Sequence, residues 1–305
     1  MARSWSLSEL ARRRPVVRNA AALALTASAA RVFDAGYRVV VARFIGPETV
    51  GLLQMAGSVY AFALGLATLG LSPALARLIA TLRAGGPGRR RTGHPGTAER
   101  QAVATATALA GPAGVATAVL LAAAAPWIAH RLLSDPRVVA PLRVLAFGLI
   151  PAAFCGVLRG RFQGAQQMLP LAVAQFIEPV IRLGVSLFAL LGLPALWSVP
   201  VPFPPAVLLA GFAVVGESAE CLFLAGWQAA GSLWQERRTD GRGVVAPARF
   251  SPPVAAQLLH SAVPIMLSQF FFAAVAMADA GLIPRLLVAS GLTPAQATRD
   301  YGLLH

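Results

Sequence analysis

Apolar residues along this chain gather into seven long stretches separated by short polar or Arg-rich segments. They run Ala20–Phe44, Val50–Ala80, Ala102–Ile128, Leu142–Leu158, Leu169–Leu193, Ala206–Ala230 and Val254–Leu287. Each approaches or exceeds the roughly 20 residues that a helix needs to cross the hydrocarbon core of a bilayer. None alternates with the period of two expected of barrel strands. Pro73, Pro151, Pro179 and Pro264 fall inside these stretches, where a membrane helix accommodates Pro as a kink. The pattern predicts an all-α polytopic membrane protein.

Composition narrows the class. Of 305 residues, 57% are apolar and only 12% charged, with a mean hydropathy of +0.66. A soluble domain carries about 25% charged residues, so an ordinary soluble enzyme, a disordered chain and a collagen are excluded. All 26 basic residues are Arg, and without Lys neither a P-loop nor a Schiff-base site can be built. Cys155 and Cys221 stand alone in apolar runs and read as small buried hydrophobes. His94, His130, His260 and His305 lack ligand spacing, and no H-E-x-x-H or G-x-S-x-G occurs. No catalytic residue, metal ligand or cofactor is therefore assigned, and the chain does not read as an enzyme.

The Arg distribution sets the topology. With the N-terminus inside, the cytoplasmic side holds Arg3, Arg12, Arg13, Arg14 and Arg18, five in Arg83–Arg100, then Arg159, Arg161, Arg237, Arg238, Arg242 and Arg249. The outer side holds Arg43, Arg131, Arg137, Arg143 and Arg299. Sixteen against five fits the positive-inside rule, with seven spans and an external C-terminus. Trp127, Trp197 and Trp234 sit near span ends as an aromatic belt does. The net charge of +14 is thus mostly a topology signal, and nucleic acid is not an expected partner. The Arg flank followed by AALALTASAA also has the look of a signal peptide, but the apolar stretch continues past Arg31 to Phe44.

The first and last stretches resemble each other. Phe33-Asp34-Ala35-Gly36 recurs as Ala278-Asp279-Ala280-Gly281, and Gly51-Leu52-Leu53 recurs as Gly302-Leu303-Leu304, each after an outer turn. Six spans separate the copies, an even number, so the repeats are parallel. The expected organisation is a basic cytoplasmic N-terminus over residues 1–18, a six-helix lobe over 19–231, a basic linker over 232–252, and the first helix of a truncated second lobe over 253–305. On this reading the second helix of that lobe should begin at His305.

Ionisable residues inside spans mark sites or pathways. Arg31, Asp34 and Arg38 share one face of the first span at i, i+3 and i+7. Glu178 and Arg182 lie at i, i+4 around Pro179, Glu217 and Glu220 lie in the sixth span, and Asp279 in the seventh. Arg31, Arg38 and Arg182 are the substrate-binding candidates, because Arg forks suit multi-oxygen anions such as phosphate. Asp34, Glu178, Glu217 and Asp279 are charge partners or coupling-ion candidates, and Glu220 reads as an interface or lipid-edge residue. Arg77 and Arg285 lie near span ends, where snorkelling accounts for them.

Several runs are similar to a known group. Arg43-Phe44-Ile45-Gly46-Pro47-Glu48-Thr49-Val50-Gly51-Leu52-Leu53-Gln54-Met55 resembles the first loop of the stage V sporulation protein B-like and polysaccharide flippase group, within the multidrug/oligosaccharidyl-lipid/polysaccharide exporter superfamily. Leu66-Ala67-Thr68-Leu69-Gly70-Leu71-Ser72-Pro73-Ala74-Leu75-Ala76-Arg77-Leu78 looks like its second helix. Arg159-Gly160-Arg161-Phe162-Gln163-Gly164-Ala165-Gln166-Gln167-Met168-Leu169-Pro170 and the following Gln175–Arg182 also fit. The resemblance runs from about Arg18 to Leu304. It implies two six-helix lobes in parallel pseudo-symmetry and alternating access that moves polyprenyl-pyrophosphate-linked sugars across a bacterial plasma membrane. It also implies Arg31 and Arg38 as contacts of the lipid pyrophosphate. Its implied partners are a lipid-linked anionic substrate, membrane lipids and a separate chain supplying the second lobe. A cation-coupled multidrug exporter of the same superfamily and a non-transporting scaffold remain the alternatives.

Overall fold

The computed structural model describes residues 7–84, 95–191, 204–238 and 250–304. Every described element is a helix: α1 Leu7–Phe44, α2 Pro47–Thr68, α3 Leu71–Arg83, α4 Pro95–Trp127, α5 Val139–Gly164, α6 Met168–Leu191, α7 Pro205–Arg238, α8 Pro252–Ala289 and α9 Pro294–Leu304. A π-helical turn at Ile128–Leu133 and a 3-10 turn at Pro136–Val138 join α4 to α5. Six helical units are long and apolar enough to cross a membrane: Pro47–Arg83, Thr97–Leu133, Pro136–Gly164, Met168–Phe188, Pro205–Gly231 and Pro252–Ala289. The chain is an all-α, multi-pass membrane protein. The seventh stretch, in α1, is not among the six; Arg31, Asp34, Arg38 and Arg43 all fall in its described part from Leu25 onwards. The side chains of the N-terminal Arg cluster and of Arg237, Arg238 and Trp234, together with Arg89–Arg91, Trp197, Arg242, Arg249 and His305, lie outside the described residues.

Three local expectations are corrected. The stretch Val50–Ala80 is two helices, because Leu69 and Gly70 both adopt positive φ (50° and 63°) and end one helix before the next begins. Pro73 is consequently no kink. It is the third residue of α3, where a missing N–H leaves no intrahelical bond unmade. The second helix of the second repeat begins earlier than His305: Gly291 (φ 101°) breaks the chain and α9 starts at Pro294. Thr293 and Gln296 cap that start reciprocally, the Gln296 backbone N–H donating to the Thr293 hydroxyl and the Thr293 backbone N–H to the Gln296 side-chain Oε1.

Small residues let the helices close on one another, as membrane packing requires. Ala102, Ala106 and Ala110 recur every four residues along α4 and are fully buried, facing Leu71, Leu75 and Ile79 of α3 and Leu258 of α8. A larger apolar core joins α2, α4, α5 and α7 through Met55, Val59, Leu121, Leu142, Leu149 and Ala210. Helix α1 packs chiefly on α6, with Phe33 edge-on to Phe176 at 6.0 Å. Helix α8 is covered only in places, at Ala255, Leu258, Ala262, Ala280, Gly281 and Pro284. Its Leu267, Phe271, Phe272, Leu282 and Leu286 are exposed.

Candidate functional site

The charged residues of α1, α5, α6 and α7 meet at the middle of the bundle. Glu178 lies ten residues into the Met168–Phe188 span, and Glu217 twelve residues into Pro205–Gly231. At 1.5 Å per residue these are about 15 and 18 Å from the span ends, close to mid-bilayer. Arg182 is the hub between α1 and α6. Its guanidinium contacts the Asp34 carboxylate, donates to Glu178 Oε1 at 3.3 Å, and stacks 4.8 Å over the Tyr37 ring. The i, i+4 spacing of Glu178 and Arg182 thus produces a real pair, while Asp34 comes from a helix that the spacing could not identify.

Arg38 lies 4.0 Å from Asp34 with about half its side chain exposed, and Arg31 is exposed with no ion pair to the described residues. Asp279 stands apart. It lies ten residues before the end of α8, as Asp34 lies ten before the end of α1. Yet Asp279 is exposed and joins no ion pair among the described residues.

Two features of this site escape sequence reasoning. Glu220 is fully buried where α7 meets α5, so it is an interface residue and not a lipid-edge one. Its carboxylate accepts from Arg159 Nε at 2.8 Å and is closed bidentately by Arg159 Nη2. Arg159, counted above as a cytoplasmic flank, is therefore an intramembrane partner of α7. The other feature is Tyr60 of α2, whose hydroxyl donates to Glu217 Oε2.

A second polar cluster ties the connection between α4 and α5 to α2 and α9. Asp135 is 3% exposed at its side chain and accepts from Arg137 Nε at 3.0 Å, Arg137 Nη2 at 2.7 Å, the Arg137 backbone N–H at 3.0 Å and the Thr298 hydroxyl at 2.9 Å. Arg137 also pairs with Glu48 at the start of α2. Burial alone would raise the Asp135 carboxyl, but these donors outweigh it and hold it below its ordinary value. A carboxyl lowered in the fold contributes stability above its unfolded value, near pH 4, and loses it as pH falls through the folded value. Asp135→Asn should therefore lower stability at pH 7 by about 1–2 kcal/mol, discounted because Arg137 is partly exposed. The gap to the unsubstituted protein should close on acidification below about pH 4. Thermal unfolding in detergent at both pH values tests this, and a gap independent of pH contradicts it.

Comparison with known proteins places this architecture. Residues 16–225 match the family described as "Polysaccharide biosynthesis protein". Over 146 residues, 48% of this chain, the sequence is 36% identical to Stage V sporulation protein B of Bacillus subtilis (strain 168), covering 27% of that protein. A solved structure superposes with a TM-score of 0.66 over 90% of this chain and 56% of its own, at 15% identity. It is described as the inward-facing conformation of a multidrug resistance MATE family transporter of the MOP superfamily. The chain thus spans about a quarter of the curated relative's length in the matched region and just over half of the solved one.

Proposed function

Because the chain belongs to the polysaccharide biosynthesis protein family, we propose that it forms the substrate-binding lobe of a flippase. Its substrate class is an oligosaccharide or peptidoglycan precursor linked to a polyprenyl pyrophosphate, moved during cell-envelope or spore-cortex synthesis. The carrying observation is the α1 face. Arg31 and Arg38 are both exposed rather than sealed into helix packing, and one acid, Asp34, lies between them. That acid is also held by Arg182. An Arg at membrane depth is costly unless an anion compensates it, and a pyrophosphate offers the oxygens that guanidinium forks bind.

In this reading Arg182 positions α1 against α6 through Asp34 and Glu178, and the exposed side chains of Arg31 and Arg38 touch the headgroup. The protein resides in the bacterial plasma membrane with its N-terminus in the cytoplasm. The uncovered face of α8, with Phe271 and Phe272, receives a second lobe, and rocking of one lobe against the other supplies alternating access.

Binding of a polyprenyl pyrophosphate to the full chain in nanodiscs, read by native mass spectrometry, tests the proposal. Arg31→Ala and Arg38→Ala should each weaken binding about 10- to 100-fold, the worth of a charge-assisted contact. Arg77→Ala should leave it unchanged. Equal binding by all three variants would overturn the assignment.

A further inference from the structure

Within the mid-membrane cluster, three of the four acids have a guanidinium partner. Asp34 and Glu178 share Arg182, and Glu220 holds Arg159. Glu217 has none among the described residues. Its recorded partner is the neutral Tyr60 hydroxyl. The groups that face it can be named helix by helix. Tyr60 comes from α2, Arg159 and Cys155 from α5, Glu178 and Arg182 from α6, and Glu220 and Cys221 from its own helix. The neighbouring cation Arg159 has Nε and Nη2 both committed to Glu220. The pocket is also tight: a Cβ on Gly148 would sit 3.2 Å from both Glu217 Oε2 and Tyr60 Oη.

An ionised carboxylate without a cation at this depth is expensive, and a bound proton removes the charge. A metal ion fits less well, since no group of three or more His, Cys, Asp or Glu among the described residues is placed to hold one. We propose that Glu217 is a proton-binding site of this bundle, and that its proton is the coupling ion of the transporter. This deepens the transporter reading and rests on it for the word coupling. When the proton leaves, the carboxylate competes with Glu220 for Arg159 and pulls harder on the Tyr60 hydroxyl that donates to it, which shifts α7 against α5 and α2. Gain and loss of one proton thereby biases the packing of the helix that carries Glu217.

Infrared difference spectroscopy of the full chain in nanodiscs at neutral pH tests the site without requiring transport. The expected result is a protonated-carboxyl C=O band that is lost in Glu217→Gln and kept in Glu178→Gln. Tyr60→Phe should keep the band but move it to higher frequency, because the carbonyl loses its hydrogen bond; this second variant covers the case in which Glu217→Gln fails to fold. A band that survives Glu217→Gln overturns the proposal, as does one unmoved by Tyr60→Phe. So does a band abolished when sodium replaces potassium, which assigns the site to a metal cation. Failure of lipid binding with the Glu217 band intact counts against the substrate reading alone. An absent band with intact lipid binding counts against the proton alone.

Discussion

Arg159→Met should destabilise the folded bundle by about 3–5 kcal/mol, the cost of stranding one member of a buried ion pair. The stranded member is Glu220, which has no exposed surface and takes both its side-chain hydrogen bonds from Arg159. The converse change is milder. Arg159 keeps 38% of its side chain exposed, so in Glu220→Gln its guanidinium can turn toward a polar environment, and the cost falls to about 1–2 kcal/mol. Replacing both residues, as Arg159→Met with Glu220→Leu, should restore most of the loss, since an apolar pair removes the desolvation penalty altogether. Equilibrium unfolding in mixed micelles of rising SDS fraction measures these costs, with Glu220→Leu alone added to close the double-mutant cycle. Additive costs in the double would show that the pair is not coupled, and equal costs for Arg159→Met and Glu220→Gln would show that the difference in burial does not set the cost.

That pair also marks where the sequence stops being legible. The spans could be read because bilayer thickness fixes their length and every residue in them contributes to the signal. Pairing carries no such signal. Arg159 and Glu220 lie 61 positions apart, and Arg159 sits one residue past the Leu142–Leu158 stretch, where the positive-inside rule counts it as a flank. Only the extra turn of α5 to Gly164 brings it inside the helix and onto α7. Tyr60 was invisible for a different reason: a phenol in an apolar run looks like packing until a carboxylate from α7 is seen against it. The break at Leu69 and Gly70 left no mark because the apolar content continues through it. By contrast Glu178 and Arg182 could be paired by eye, since one helical turn joins them. The Asp-Ala-Gly recurrence could be read in order, each copy lies ten residues before a helix end, and a further helix, α9, follows the second copy. What the repeat could not supply was the partner of Asp34, because that partner belongs to α6 and no described helix offers Asp279 its counterpart.

The two recurring glycines meet in space, which makes the crossing of α2 and α9 sensitive to any added side chain. A Cβ on Gly51 would sit 2.0 Å from the Thr298 carbonyl oxygen, and one on Gly302 would sit 2.5 Å from the Pro47 oxygen and 2.6 Å from the Gly51 nitrogen. These neighbours are backbone atoms and cannot rotate away, so any side chain there must part α2 from α9. Gly51→Val should cost about 1–3 kcal/mol or more through overpacking, spent on undocking α9 rather than on the core, which lies deeper. Amide exchange over Pro294–Leu304 should accordingly accelerate about 10- to 100-fold. Gly57→Ala, on the same helix with nothing within 4 Å of the added carbon, should leave it unchanged. Undocking also removes the Thr298 hydroxyl from Asp135, so Asp135→Asn should cost less in the Gly51→Val background than alone. If exchange over α9 does not change in Gly51→Val, the helix is not held by this crossing. If the costs of Gly51→Val and Asp135→Asn simply add, the glycine contact and the Asp135 cluster are separate devices; non-additivity makes them one latch between the two repeats.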